Sequence, residues 1–390
     1  MSPVENVVEH GRACVAQGGE GGGCHRKRPG SLEDLGRNRG VSKNSNGRLG
    51  RLILCFGVQA GMKASTLPDI SQKVLFLGRR DAYPDLPSSV EVRETHMSWV
   101  FLTDAHAWKL KKPVRSKYLD FSTVEARWMN CQEEVRLNRR LAPDVYLGVV
   151  PLTIEGDGKL ALARQGQPVD WLVQMRRLPS NLMLDKAIAS HTWTQDGIRK
   201  LGALLARFYI QAPSVPMTGA EYRGQLRRDL TNTRQDLLEY SKLPHDLIVA
   251  RIRKGLAFID QGADLLEERA RSGRIVEAHG DLRPEHVCLE SPPVIVDCLE
   301  FNRRLRLLDA VSELTYLALE CERLRAQRVG NILFEEYRDR TGDRPADKLL
   351  DFYRTYHCCV RAKIAVWHLR DAGTGPPEKW IARALDYLRR

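Results

Sequence analysis

The sequence predicts an α+β chain of two lobes, a small N-terminal lobe rich in strands followed by a larger helical one. Three observations carry this expectation. Apolar and polar residues alternate in short runs between Val90 and Leu178, whereas helical periodicity dominates after Pro179. One island among the later helices, HGDLRPEHVCLESPPVIVDCLEF at 279–301, contains two strand-like apolar runs. Alternation marks a half-buried strand, and a 3.6-residue repeat marks a helix with one apolar face.

Residues 1–61, exemplified by QGGEGGGCHRKRPG from Gln17, show neither period and are expected to be a disordered, basic, Gly-rich tail. Met62 follows as a candidate natural start, and DISQKVLFLGRRDAYP is the first amphipathic segment. VEVRET, SWVFLT and HAWKLKKPV then read as a three-stranded antiparallel meander. A helix begins near Ser122, because Val124, Trp128, Cys131 and Val135 recur at helical spacing, and Ala142-Pro143 stops it. Strands at YLGVVPLTI, LALAR and DWLVQMRRL complete a lobe spanning 62–178. Over 179–390, TQDGIRKLGALLARFY, EYRGQLRRDLTNTRQDLLEY, LIVARIRKGLAFIDQGADLLEERA and the chain from 304 onward read as helices.

At 390 residues and 43% hydrophobic, the chain is long enough for each lobe to bury a core. The nine cysteines are odd in number and form no CxxC pair, which fits reduced, buried thiols rather than disulfides or a zinc site. No apolar run approaches the roughly 18 residues of a membrane span, and the N-terminus lacks a secretory pattern, so a cytoplasmic protein without a membrane partner is expected. The net charge of +12 divides into +4 over residues 1–61, from nine Lys/Arg against five Asp/Glu, and +8 over the remainder. Neither local cluster, Arg26 to Arg28 or Lys109 to Lys112, is interleaved with stacking aromatics, so the basic excess reads as a solvated surface and nucleic acid is not expected as a partner.

The chemistry concentrates in the island. Val287 to Leu289 and Val294 to Val296 can pair about ESPP, which brings the Asp281–His286 loop and Asp297 to one end of a hairpin. Two carboxylates in a partly buried site repel, and a divalent cation would make both ionised forms tolerable. On the third strand of the meander, Lys109 and Lys111 project from one face.

HGD, five further residues to position 286, and apolar-Asp at 296 and 297 resemble the H-x-D-x-x-x-x-N catalytic loop and metal-binding Asp of the protein-kinase-like fold. With Gly280 in place of an arginine, the triplet is similar to the aminoglycoside phosphotransferase and choline kinase branch. ETHMSWVF, KLKKPV, EEVRLNRRLAPDVYLGVVPLT, MRRLP, HGDL and DCLEF together resemble a bacterial group of aminoglycoside phosphotransferase family proteins of unassigned substrate. The resemblance implies a two-lobed kinase-like fold and an ATP-dependent phosphotransferase acting on a hydroxyl of a small molecule, with ATP and Mg²⁺, or Mn²⁺, as cofactors.

Carried onto this chain, it implies that Asp281 orients or accepts the substrate hydroxyl proton and that Asp297 holds the metal. Lys109, in an A-x-K element, or Lys111 would reach the ATP phosphates, paired with Glu134, Glu133 or Glu125. Thr95 to Ser98 occupy the place of a phosphate-covering turn, although no G-x-G-x-x-G or GxxxxGK[ST] loop is present. Adenine would lie beside the backbone of Met175 and Arg176 to Leu178. His279 reads as a packed scaffold residue, and Asp309 either as the residue tethering the catalytic loop or as an ordinary helix cap. His286 departs from the asparagine of the pattern and leaves three readings: a nitrogen ligand to metal, a hydrogen-bond partner of Asp281, or the mark of a nucleotide-binding module without catalysis. Glu300 could add an oxygen ligand, and Arg283 could pair with phosphate or with a carboxylate. An aminoglycoside is a poor electrostatic match for a basic chain. Tyr356, His357, Arg361 and Trp367 carry no assigned role.

Overall fold

The computed structural model describes residues 67–115, 119–370 and 376–390. The expectations of a disordered tail and of a start at Met62 lie outside these described residues. Asp69 opens the first helix, α1 (Ile70–Leu77), through a capping box with Gln72, which satisfies amide groups that the first turn leaves without partners. The meander follows as β1 (Glu91–Glu94), β2 (Ser98–Leu102) and β3 (His106–Lys111). After α2 (Val124–Asn138) come β4 (Tyr146–Ile154), β5 (Leu160–Leu162) and β6 (Gln167–Arg176). All six strands form one antiparallel sheet in the order β1-β2-β3-β6-β4-β5. Edge strand β1 is exposed along its whole length and carries Glu91, Arg93 and Glu94, charges that discourage pairing with another chain.

The two faces of β3 have different jobs. Trp108 and Leu110 enter a core with Leu77, Phe101, Leu152 and Leu172, whereas Lys109 and Lys111 face α2. The buried face of α2 is half polar: Arg127, Glu134 and Asn138 lie beside Cys131, Val135 and Leu137. Trp128, which apolar spacing assigns to that face, is 41% exposed. The reason is electrostatic: Arg127 donates to both carboxylate oxygens of Asp170 on β6 at 2.7 and 3.0 Å, and Lys73 of α1 donates to the same carboxylate at 2.8 Å. A buried charge must be paired, so this polar face docks only where its partners stand.

The second lobe begins with α3 (Leu184–Ala189), α4 (Gln195–Gln211) and α5 (Gly219–Leu238). The long helical segment expected at 247–270 is two helices, α6 (His245–Gln261) and α7 (Ala263–Arg271), divided at Gly262. There β7 (Ile275–Glu277) leads into the island, whose hairpin is β8 (Val287–Cys288) with β9 (Val294–Ile295). The short strand β10 (Leu307–Asp309) returns to pair with β7, and α8 (Ala310–Arg323), α9 (Gln327–Thr341), α10 (Asp347–Trp367) and α11 (Pro377–Arg389) complete the lobe. One apolar core takes in Leu141 and runs on from Leu184 to Leu388, and the hairpin's Val287 and Ile295 belong to it. The six described cysteines are free and buried, as expected of reduced thiols. Among the described residues, no helix is long and apolar enough to cross a membrane. The chain is thus α+β, a small sheet lobe followed by a larger helical lobe, with the hairpin at the seam between them.

Candidate active site

The hairpin does what its spacing predicts, because antiparallel pairing of Val287 with Ile295 and of Cys288 with Val294 puts the residues flanking both strands at one end. His286 lies between the two carboxylates, its Nδ1 3.8 Å from Asp281 Oδ2 and its Nε2 3.4 Å from Asp297 Oδ2. Both carboxylates therefore face one space.

From the sheet lobe, Lys109 Nζ donates to Glu134 Oε1 at 2.9 Å and to Asp297 Oδ1 at 2.7 Å, so a single ammonium bridges the lobes. Lys111 Nζ donates to the other oxygen, Glu134 Oε2, at 2.5 Å and to Glu300 Oε1 at 2.6 Å, and it also lies 5.4 Å from the Phe121 ring centre. The choice between the lysines thus resolves into a division of labour: both grip Glu134, but Lys111 is 1% exposed and boxed in, while Lys109 faces the seam. Glu133 instead pairs with Arg136 and Arg306, and Glu125 is exposed. Glu300, considered as an oxygen ligand, is occupied by Lys111.

The charge states follow from this cluster. Burial works against ionisation of Glu134, but the two lysines hold its carboxyl below the usual range. Burial also opposes the Lys109 charge, yet Asp297 and Glu134 keep its ammonium well above its ordinary value. The enclosing protein disfavours a charged Asp297, and Lys109, with Arg283 adding to it, more than offsets this and holds it well below the usual carboxylate range. For Asp281, burial is again outweighed, here by Arg283 and Arg361. Both aspartates are ionised and can only accept hydrogen bonds.

The loop geometry selects among the roles for His286. Its Nδ1 is 2.8 Å from the Asp281 carbonyl oxygen, which can only accept, so Nδ1 carries the hydrogen. Nε2 is left to accept from Arg283 Nη2 at 2.9 Å. Arg283 Nε also donates to Asp281 Oδ2 at 3.1 Å, and Tyr316 Oη donates to Oδ1 at 3.1 Å. His286 is thus a hydrogen-bond partner of Asp281, through the backbone rather than the carboxylate, and Arg283 pairs with a carboxylate here. A His whose Nδ1–H is anchored on a carbonyl is also oriented as metal ligands commonly are, but Nε2 becomes available only if Arg283 withdraws.

His279 is the expected scaffold residue: fully buried, with Nε2 2.9 Å from the Val296 carbonyl and an imidazole pushed by burial down to about 4. The tether of the loop is not Asp309. Its carboxylate caps α8 at Val311 and accepts from Arg269 at 2.7 and 2.8 Å. The loop is held one turn further along α8 by Glu313, which accepts the Gly280 N–H at 2.6 Å, the His279 N–H at 3.2 Å and the Tyr209 hydroxyl at 2.9 Å. Burial pushes the Glu313 carboxyl up despite these donors. A glutamate 33 residues beyond Gly280 on an amphipathic helix gives no local signal of this role. Gly280 has φ +87°, and a Cβ there would stand 3.0 Å from Arg306 Cγ and 3.2 Å from Leu299 Cβ, which explains glycine at this turn.

The remaining sequence candidates line the seam or its rim. Thr95 Oγ1 donates to the Ser98 carbonyl at 2.9 Å and accepts the Ser98 N–H at 3.0 Å, closing the β1–β2 turn on itself. Met175 pairs in register with Ala107 and Tyr146. Arg176 donates to Glu290 in the hairpin turn at 2.5 and 3.2 Å, and its N–H is taken by the Val145 carbonyl. His357 and Arg361 stand behind the loop, His357 stacked on Tyr316 at 5.0 Å and Arg361 3.3 Å from Glu320. Among the described residues, no three His, Cys, Asp or Glu side chains gather as a metal cage. Mg²⁺ shared with phosphates takes only one or two protein carboxylates, and Asp297, 46% exposed on the seam, fits that use.

No protein-family model matches the chain. It is 32% identical over 293 residues to an uncharacterized protein of Mycobacterium tuberculosis (strain ATCC 25618 / H37Rv), covering 74% of this chain and 57% of the relative, and shows the same figures with an uncharacterized protein of Mycobacterium bovis. The chain therefore spans little more than half the length of the curated relatives it matches. Among solved structures it is similar to a GDP complex of wild-type aminoglycoside 2'-phosphotransferase-IIIa (TM-score 0.47, 15% identity, 79% of this chain and 94% of that one). It is also similar to a choline/ethanolamine kinase family protein from Mesorhizobium loti (TM-score 0.45, 16% identity, 80% and 94%).

Proposed function

We propose that the chain is an ATP-dependent phosphotransferase that transfers a phosphoryl group to a hydroxyl of a small molecule. The observation that carries this reading is the convergence of Lys109, Asp297 and Asp281 on one space, with Glu134 behind the lysine and His286 between the aspartates. Phosphoryl transfer needs positioning and charge neutralisation more than covalent help. Lys109 supplies a positive charge for ATP phosphates, and Glu134 keeps that charge aimed. Asp281, held ionised and oriented by Tyr316 and Arg283, orients the acceptor hydroxyl and can take its proton. Asp297 would hold Mg²⁺, or Mn²⁺, which when bound neutralises phosphate charge. The β1–β2 turn at Thr95 to Ser98 covers the phosphates, and adenine lies along the backbone at Met175 and Arg176. An aminoglycoside is not the acceptor proposed, because the cations Arg283 and Arg361 flank Asp281 and would repel a polycation.

The test is ATP turnover with Mg²⁺ and with Mn²⁺ across a panel of hydroxyl-bearing metabolites. Asp281→Ala is expected to lower turnover by about 10²–10⁴-fold while nucleotide still binds. One observation favours a second reading, a nucleotide-binding module without catalysis: Arg283 ties both Asp281 and His286 Nε2. Nucleotide binding with no turnover in either metal on any acceptor would establish that reading instead.

A further inference from the structure

The segment carrying Asp297 is held from the opposite lobe. Asp297 is a non-glycine residue at φ +61°, a left-handed conformation that L side chains rarely adopt and that persists only where the surroundings over-determine it. Its neighbours do so. The Asp297 N–H donates to Tyr146 Oη on β4 at 3.0 Å, and the next amide, Cys298 N–H, donates to Asn138 Oδ1 at the end of α2 at 2.9 Å. Two consecutive amides of a helical-lobe segment are thus read by two buried side chains of the sheet lobe.

Asn138 has only one way round. Its Nδ2 donates to the Glu134 carbonyl at 2.9 Å, so a flipped amide would set an NH₂ group against the Cys298 N–H and an oxygen against a carbonyl. Glu134, one turn earlier on the same helix, grips Lys109, and Lys109 in turn grips Asp297. Helix α2 therefore fixes the phosphate-facing lysine by a side chain and the backbone beside Asp297 by Asn138. Beyond that, the Leu299 N–H donates to the His279 carbonyl at 3.0 Å, which joins the same segment to the HGD loop.

We infer that Asn138 and Tyr146 are positioning residues that hold Asp297 in its metal-ligating conformation, so that the metal-dependent part of nucleotide binding is set by the sheet lobe. The inference rests on the phosphotransferase reading, since it takes Asp297 as the ligand. Both side chains are spent on protein backbone, Tyr146 on Asp297 and Asn138 on Cys298 and Glu134, so metal-free binding should not need them.

The experiment is calorimetric titration of the full chain with ATP, once in EDTA and once in Mg²⁺, for wild type, Tyr146→Phe and Asn138→Ala, with Mn²⁺ resonance spectra of the ATP-bound proteins as a second readout. Each variant should lose about tenfold of the affinity that Mg²⁺ adds, the worth of one hydrogen bond of this kind, with the EDTA value unchanged. Its bound Mn²⁺ should also show an altered spectrum. Variants that keep the wild-type Mg²⁺ increment and spectrum, or that lose binding equally with and without metal, overturn the inference and leave the phosphotransferase reading standing. A wild type that binds no nucleotide under either condition overturns both.

Discussion

Two charge clusters lie inside this molecule, one at the seam between lobes and one sealed in the helical lobe, and they balance the same books differently. In the sealed cluster, Arg269 of α7 donates to Asp309 and to Asp343, and Arg274 stands 3.9 Å from Asp343, so two cations answer two carboxylates. Hydroxyls complete it, Tyr353 donating to Asp309 at 2.8 Å and Tyr337 to Asp343 at 2.7 Å. At the seam, Lys109 and Lys111 face Glu134, Glu300 and Asp297, one carboxylate in excess. Here the excess sits on Asp297 and points into the seam. A cluster whose charges the protein balances internally is scaffold, and one that leaves a carboxylate over is a candidate binding site.

The contrast can be broken at either end. Arg269→Met strands two buried carboxylates and should cost about 3–5 kcal/mol of stability in urea unfolding, with no change in the nucleotide affinity of the protein that remains folded. Asp297→Asn should do the reverse: turnover falls by about 10²–10³-fold, while unfolding stability stays within about 1 kcal/mol because Lys109 keeps Glu134. A large stability loss here would mean that the seam cluster is scaffold too. Lys111→Met, which uncovers Glu134 and Glu300, should cost about 2–3 kcal/mol, whereas Lys109→Met should chiefly weaken ATP binding. Equal behaviour of the two lysines in calorimetry would dissolve their division of labour. The smallest effect concerns acid. Burial is outweighed at Asp343 by Arg269 and Tyr337, which hold its carboxyl below the usual range. Its contribution to stability is full above the unfolded value of about pH 4 and is lost as pH falls through the lowered folded value. Asp343→Asn should flatten that acid limb of the unfolding profile.

What the sequence made legible depended on distance along the chain. The hairpin that sets Asp281, His286 and Asp297 together spans fewer than twenty residues, so spacing and turn chemistry sufficed. Lys109 and Glu134 were placed by resemblance, and alternation on β3 already put both lysines on one face. Glu313 stayed hidden because a buried glutamate on an amphipathic helix spells the same letters as a solvated one, and its partners are backbone amides, which leave no mark in a sequence. At Asp309 the sequence left tether and helix cap open together for the same reason: it is the cap, and its partner Arg269, which settles its surroundings, lies 40 residues away. On α2 apolar spacing found Cys131 and Val135 but misplaced Trp128, because the Arg127–Asp170 ion pair helps decide how that helix docks.

The boxed-in Lys111 bears on traffic as well as on charge. With Glu134 on one side and Glu300 on the other, the deep edge of the seam cannot gape without exposing three charges that now satisfy one another. The turn at Thr95 to Ser98 is tied to the same edge, because Ser98 pairs across the strands with Lys111, so opening must begin at the other end of β3, where Arg176 pairs with His106 and the Arg176–Glu290 ion pair stands nearer to solvent. Entry and departure of any bound molecule then share a single doorway, and how long that molecule stays is governed by an ion pair near the surface rather than by the residues that would do chemistry on it.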